Sequence, residues 1–116
     1  MLNANVKKWV AALRSGEYKQ GKFSLRNDDG FCCLGVACDL YAKEHNLLWN
    51  GYDFMNNSNV LPMQVMRWLG LAERNGTYID NDRCLSDFND KGMTFELIAN
   101  IIESDPPLLF EVTNAS

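Results

Sequence analysis

The sequence predicts an α+β domain of four to five helices with two short β-hairpins. Three observations lead there. Apolar residues recur at helical spacing in several separate segments. Two turn-rich runs lie between short apolar stretches, as hairpins require. The 116 residues suffice for one core and not two. A hydrophobic share of 47% with three Trp, four Tyr and six Phe supplies that core, so a disordered chain is not expected. The reading is a single domain over residues 1–116, with 106–116 forming a C-terminal strand or a loose tail.

The first element is NVKKWVAALRSG. Val6, Trp9, Val10 and Leu13 fall on one helical stripe. Asn3 or Asn5 caps its start, and Gly16 ends it in a left-handed turn. In EYKQGKFSLRNDDGFCC, Gly21 and the run 27–30 are turn signals, and the second sits between FSLR and FCC as a hairpin turn. LGVACDLYAKEHN then repeats Leu34, Ala37 or Cys38, and Tyr41 as a helix, which Gly35 weakens. The stretch around Trp49, Asn50 and Gly51 is an Asn-rich, aromatic loop. Pro62 suits the first position of a helix that Gly70 closes. Asn75-Gly76 between LAER and TYI reads as the turn of a second hairpin. CLSDFNDKG is a short helix ended at Gly92, and Thr94 caps a further helix through Phe95, Ile98 and Ile102. Asp105-Pro106-Pro107 stops it.

No apolar run approaches the ~20 residues of a membrane helix. The N-terminal stretch with Lys7 and Lys8 lacks the pattern of a secretory signal. Cys32 and Cys33 are adjacent, and Cys33 and Cys38 lie in an apolar segment, so buried thiols in a reducing compartment are expected over disulfides. The net charge of −4 is uneven. Six Lys or Arg and one acid precede Asn27, whereas five Lys or Arg and fourteen acids follow Arg26. The local cluster of Lys19, Lys22 and Arg26 says more than the total, because most charge is simply solvated.

The pieces WVAALRSGEYKQGK, FCCLGVACDLY and LSDFNDKGMTFELIANIIES resemble a group of small proteins encoded by bacteriophages. The double-Cys run Cys-Cys-Leu-Gly-Val-x-Cys-Asp is the most specific piece, and the resemblance covers most of the chain. It implies a phage origin and expression in the cytoplasm of a bacterial host. It carries no functional residue to any position here.

Sites of recognised chemistry are weakly represented. Cys33-x4-Cys38 departs from zinc spacing, and His45 is the one imidazole, so no metal and no cofactor are expected. His45 follows Cys38 by seven residues, about 10 Å of helical rise, too far for a direct Cys–His bond. Phosphate loops and dinucleotide fingerprints are missing from the sequence. The acid pairs at 28–29, 80–82 and 87–90 lack a calcium-loop pattern and read as turn and cap residues. The segment 85–103 has helix-turn-helix form, but its second helix offers Glu96 and Glu103 and no cation, against binding of a nucleic-acid polymer.

The segment Tyr18 to Arg26 is the most site-like. Tyr18, Lys19, Gln20, Lys22 and Arg26 place an aromatic ring, an amide and three cations in one loop. Cations take phosphate or carboxylate, a ring stacks on a base, and an amide reads its edge. Trp49, and Tyr52 beside it, extend the aromatic lining, and Asn89 with Asp90 adds polar contacts if the fold brings them close. The expected function is therefore a non-enzymatic phage protein that sequesters a small anionic, nucleotide-type immune signal of the host. The alternative is an adaptor or inhibitor acting on a host protein. A small nucleotide hydrolase and a DNA binder rank below both. A homo-oligomer is compatible with either leading reading.

Overall fold

The computed structural model describes residues 2–79 and 83–111. Its elements in chain order are α1 (Ala4–Arg14), β1 (Arg26–Asn27), β2 (Gly30–Phe31), α2 (Cys33–His45), α3 (Met63–Leu69), β3 (Thr77–Ile79), β4 (Arg83–Cys84), α4 (Leu85–Asp90) and α5 (Phe95–Glu103). β1 pairs antiparallel with β2, and β3 with β4, so among the described residues five helices carry two two-stranded sheets. The fold is the expected α+β class.

The capping residues explain the helix starts. The Asn3 side chain accepts from the Val6 N–H at 2.9 Å, and Thr94 accepts from Leu97. Cys32 caps α2 with sulfur in place of oxygen, taking the Gly35 N–H at 3.4 Å. The α1 stripe of Val6, Trp9, Val10 and Leu13 is buried as the spacing predicts, as are Phe95, Ile98, Ala99 and Ile102 on α5. These stripes face each other, and α2 packs across α1 with Leu34, Val36, Ala37 and Cys38 inside. The Trp9 indole is fully buried and its N–H donates to the Cys33 carbonyl at 2.8 Å, so it leaves no unpaired polar group.

Two expectations are corrected. Pro62 lies one position outside α3, as its N-cap with ψ 149°, because an extended proline still pre-sets the turn into the helix. The second hairpin is not closed by Asn75-Gly76. LAER forms a turn in which Gly76, at φ 74°, donates its N–H to Glu73. The strand that follows pairs forward with Arg83–Cys84. Leu71 instead bridges to Phe110, and the Ala72 N–H bonds the Leu109 carbonyl at 2.9 Å. The tail thus contributes one bridge within its described part. Residues 112–116, and the acids Asp80 and Asp82, lie outside the described residues. Among the described residues no helix is long and apolar enough to cross a membrane.

Candidate ligand-binding site

The loop between α1 and α2 is held down by its own backbone and by α4. The Phe31 N–H donates to the Lys19 carbonyl, and Gly21 donates back to Phe31 at 2.7 Å. Gly35 opens α2 directly beneath this loop, and a Cβ there would overlap the Leu25 carbonyl. Gln20 turns inward. Its Nε2 donates to Asn89 Oδ1 at 2.9 Å and to the Met93 carbonyl at 2.7 Å. Asn89 is fully buried and uses both ends of its amide. Oδ1 also accepts from the Cys33 N–H at 3.2 Å, and Nδ2 donates to the Gly21 carbonyl at 2.8 Å. One side chain therefore joins the loop, the start of α2 and α4. Asp90, next along, accepts the Phe23 N–H at 2.7 Å.

Outside this anchor the loop presents two faces. On one, Tyr18, Phe31, Trp49 and Arg26 form an aromatic shelf. The ring centroids of Tyr18 and Phe31 lie 5.2 Å apart, and those of Phe31 and Trp49 5.8 Å apart, both edge to face. The Arg26 guanidinium sits 5.3 Å from the Trp49 ring and 5.8 Å from Phe31. Beneath, Asp39 accepts from the Tyr18 hydroxyl at 2.6 Å and the Trp49 indole at 3.1 Å, and pairs with Lys43 at 3.1 Å. Burial alone would raise the Asp39 carboxyl. Hydrogen bonds from Tyr18, Lys43 and Trp49 together outweigh it and hold the carboxyl below its usual range. Tyr18, by burial first and its bond to Asp39 second, is pushed up to about 12. Tyr52 reaches the hairpin turn by donating to Asp28.

The other face opens into a polar pocket of about 400 Å³. Phe23 and Ser24 of the loop line it with Asn59, Asn75, Ser86, Asp87 and Asp90, over a floor that includes Cys32 and Cys84. Phe23 holds φ 72° and leaves 74% of its surface exposed at the rim. A second cleft of about 320 Å³, lined by Arg83, Asp87, Phe88 and Lys91, adjoins it through their shared Asp87. The Lys91 ammonium lies over the Phe88 ring at 5.9 Å. Lys22 approaches from the loop, since a methyl placed on Gly92 would lie 3.8 Å from its ammonium. Among the described residues, no hydrogen bond or ion pair engages the side chains of Arg83, Lys91 or Asp87.

A family model described as "Domain of unknown function (DUF8296)" matches residues 2–106. The chain belongs to this family. No curated protein and no solved structure matches it. The DUF8296 match spans the loop, both cavities and α1 through α5.

The eight residues singled out from the sequence of this DUF8296 chain do not form one cluster. Tyr18, Arg26 and Trp49 meet on the shelf. Gln20 and Asn89 are the anchor, and the fully buried Asn89 offers no surface to a ligand. Asp90 lines the polar pocket and the Lys22 ammonium lies near Gly92, whereas Lys19 is exposed and its carbonyl binds Phe31. Arg83, Asp87, Phe88 and Lys91 were missed. Three of them, Asp87, Phe88 and Lys91, lie in a stretch read as a helix and its turn, and nothing in their spacing announces a cleft.

The thiols have a different role. Burial raises Cys33 and Cys38 well above the usual thiol range and pushes Cys32 up to about 11, so all three are protonated at neutral pH. Cys33 donates to the Leu85 carbonyl at 3.7 Å. His45 lies exposed against the Tyr41 ring, with centroids 4.1 Å apart. The outer face of α5 presents Glu96 and Glu103, both paired with Arg14.

Proposed function

We propose that this DUF8296 chain binds and holds a small anionic, nucleotide-type ligand in the two cavities that meet at Asp87. The observation that carries the reading is their adjacency. One cavity offers hydrogen-bonding side chains and an exposed ring, and the other offers two cations that make no hydrogen bond or ion pair among the described residues. Each volume lies in the range of small-molecule sites. A guanidinium and an ammonium side by side suit a phosphate group. Holding a ligand needs affinity alone, and protonated thiols supply no nucleophile. The resemblance to phage-encoded proteins supplies the setting, in which the ligand is a host immune signal and its capture in the bacterial cytoplasm blunts a defence. Titration calorimetry with cyclic nucleotides and ADP-ribose derivatives tests the reading. Saturable binding that Arg83→Ala weakens supports it, and the absence of binding across the panel contradicts it.

A second reading, an adaptor that docks on a host protein, has its own observation. An open apolar groove of about 490 Å³ runs along Val60, Met63, Met66 and Ala72, and Leu48 is 91% exposed. Methionine-lined grooves accommodate varied apolar partners. A stoichiometric partner captured from host lysate, and lost on Met63→Glu, favours it.

A further inference from the structure

We propose that the ligand is a ribonucleotide and that Asp87 reads its sugar diol. The proposal rests on the reading above, that a nucleotide spans the two cavities. A nucleotide has three parts in fixed order: base, sugar, phosphate. The cavities have a matching order. The polar pocket offers the Phe23 ring as a stacking surface, with Asn59, Asn75 and Ser86 to meet a base edge. The second cleft offers Arg83 and Lys91 to the phosphates, with the Lys22 ammonium close to the neighbouring Gly92. Among the described residues Asp87 is the one that lines both, and it stands where the sugar must pass.

The chemistry at that position is selective. An ionised carboxylate accepts hydrogen bonds and donates none. A phosphate placed against it would be repelled, so the anion belongs beyond it, on the cations. The vicinal hydroxyls of ribose present two O–H donors on one edge, which fit the two oxygens of one carboxylate. Acidic side chains serve the ribose hydroxyl in dinucleotide sites for this reason. The pocket's other carboxylate, Asp90, is less open, because one of its oxygens already holds the Phe23 N–H at 2.7 Å. Asp87 keeps both oxygens unengaged among the described residues.

The experiment titrates the full chain with ADP, GDP, CDP and UDP and with their 2′-deoxy counterparts, then repeats both series on Asp87→Ala and Asp87→Asn. The side chain is exposed and holds no other described residue, so both variants should fold, which circular dichroism verifies. The expected result is roughly tenfold weaker binding of the 2′-deoxy form of whichever nucleotide binds best, the worth of one hydrogen bond to a charged group. That difference should vanish in Asp87→Ala and shrink in Asp87→Asn. Equal binding of ribose and deoxyribose forms by the unaltered chain overturns the proposal and leaves the nucleotide reading standing. Discrimination that survives in Asp87→Ala overturns the role of Asp87. Absence of binding by every diphosphate overturns the ribose proposal and contradicts the nucleotide reading with it.

Discussion

Gln20 Nε2 lies 2.9 Å from Asn89 Oδ1 and joins two residues that are 69 positions apart in the chain. The Gln20 side chain also reaches Met93, and Asn89 reaches Cys33 and Gly21. The loop that bears the basic cluster is thereby fixed to α4, and its edge at Phe23 and Ser24 becomes one wall of the polar pocket. The proposed sequestration of a small ligand would depend on this anchor, because a loose loop would have to be ordered at the moment of binding.

Removing the anchor should cost the fold. Asn89→Ala leaves the Cys33 N–H, the Gly21 carbonyl and the Gln20 amide without their buried partner. The expected loss is about 3 kcal/mol, at the upper end for such groups. Urea unfolding measures it. Hydrogen exchange should show residues 18–31 opening more readily in the variant than α1 and α5 do.

Two glycines should respond differently to a methyl group. At Gly35 a Cβ collides with the Leu25 backbone, which cannot give without moving the loop. At Gly51, with φ 60°, a Cβ meets open space. Gly35→Ala should lose about 3 kcal/mol, and Gly51→Ala about 1 kcal/mol from its left-handed backbone. Paired thermal melts check the order.

The shelf should show its ionisation at both ends of the pH scale. Tyr18 is raised to about 12 in the fold, against about 10 in the unfolded chain. Its contribution is complete below pH about 10 and is lost as pH rises through the folded value. Asp39 is lowered, so its contribution is present above about pH 4 and is lost as pH falls through its folded value. Ultraviolet titration should find Tyr18 ionising late, with Tyr78 also raised by burial. Asp39→Asn should bring Tyr18 down part of the way, leaving the share due to burial.

Thiol chemistry gives an independent check on burial. Cys33 and Cys38 should resist maleimide at neutral pH in the folded protein and react in denaturant. Fast labelling of either residue in the native protein would contradict their placement in the core.

Arg83→Ala combined with Lys91→Ala should abolish binding of the anionic ligand without altering the thermal midpoint by more than a degree or two, since neither side chain engages another described residue in an ion pair. Calorimetry and a melt on the same sample separate the two effects. Binding in the unaltered chain should also weaken with added salt.

The helices were legible because the stripes Val6-Trp9-Val10-Leu13 and Phe95-Ile98-Ile102 follow helical spacing, and because Asn3 and Thr94 are strong caps. The second hairpin was misplaced because Asn75-Gly76 is a local turn signal, whereas pairing of Thr77 with Cys84 is decided by tertiary contacts. In the Cys-Cys-Leu-Gly run, structural demands account for Cys32 as a cap, Cys33 as a buried donor and Gly35 as the close contact with Leu25. The Asn of the later Asn-Asp-x-Gly run is the anchor. Those signatures record folding constraints and do not mark a ligand. The loop 18–26 was legible as surface from its charge. The cleft at Arg83 and Lys91 was not, because it arises where β4 meets α4, and no periodicity encodes that meeting.

The most direct test of the central claim is the mass of the protein purified gently from bacteria, taken under native conditions and again after denaturation. The expected result is an added mass of a nucleotide-sized anion on the native protein. It should be released on unfolding and be missing from the Arg83→Ala, Lys91→Ala variant. A bare protein in both spectra that also fails to take up any nucleotide added to it would contradict the claim.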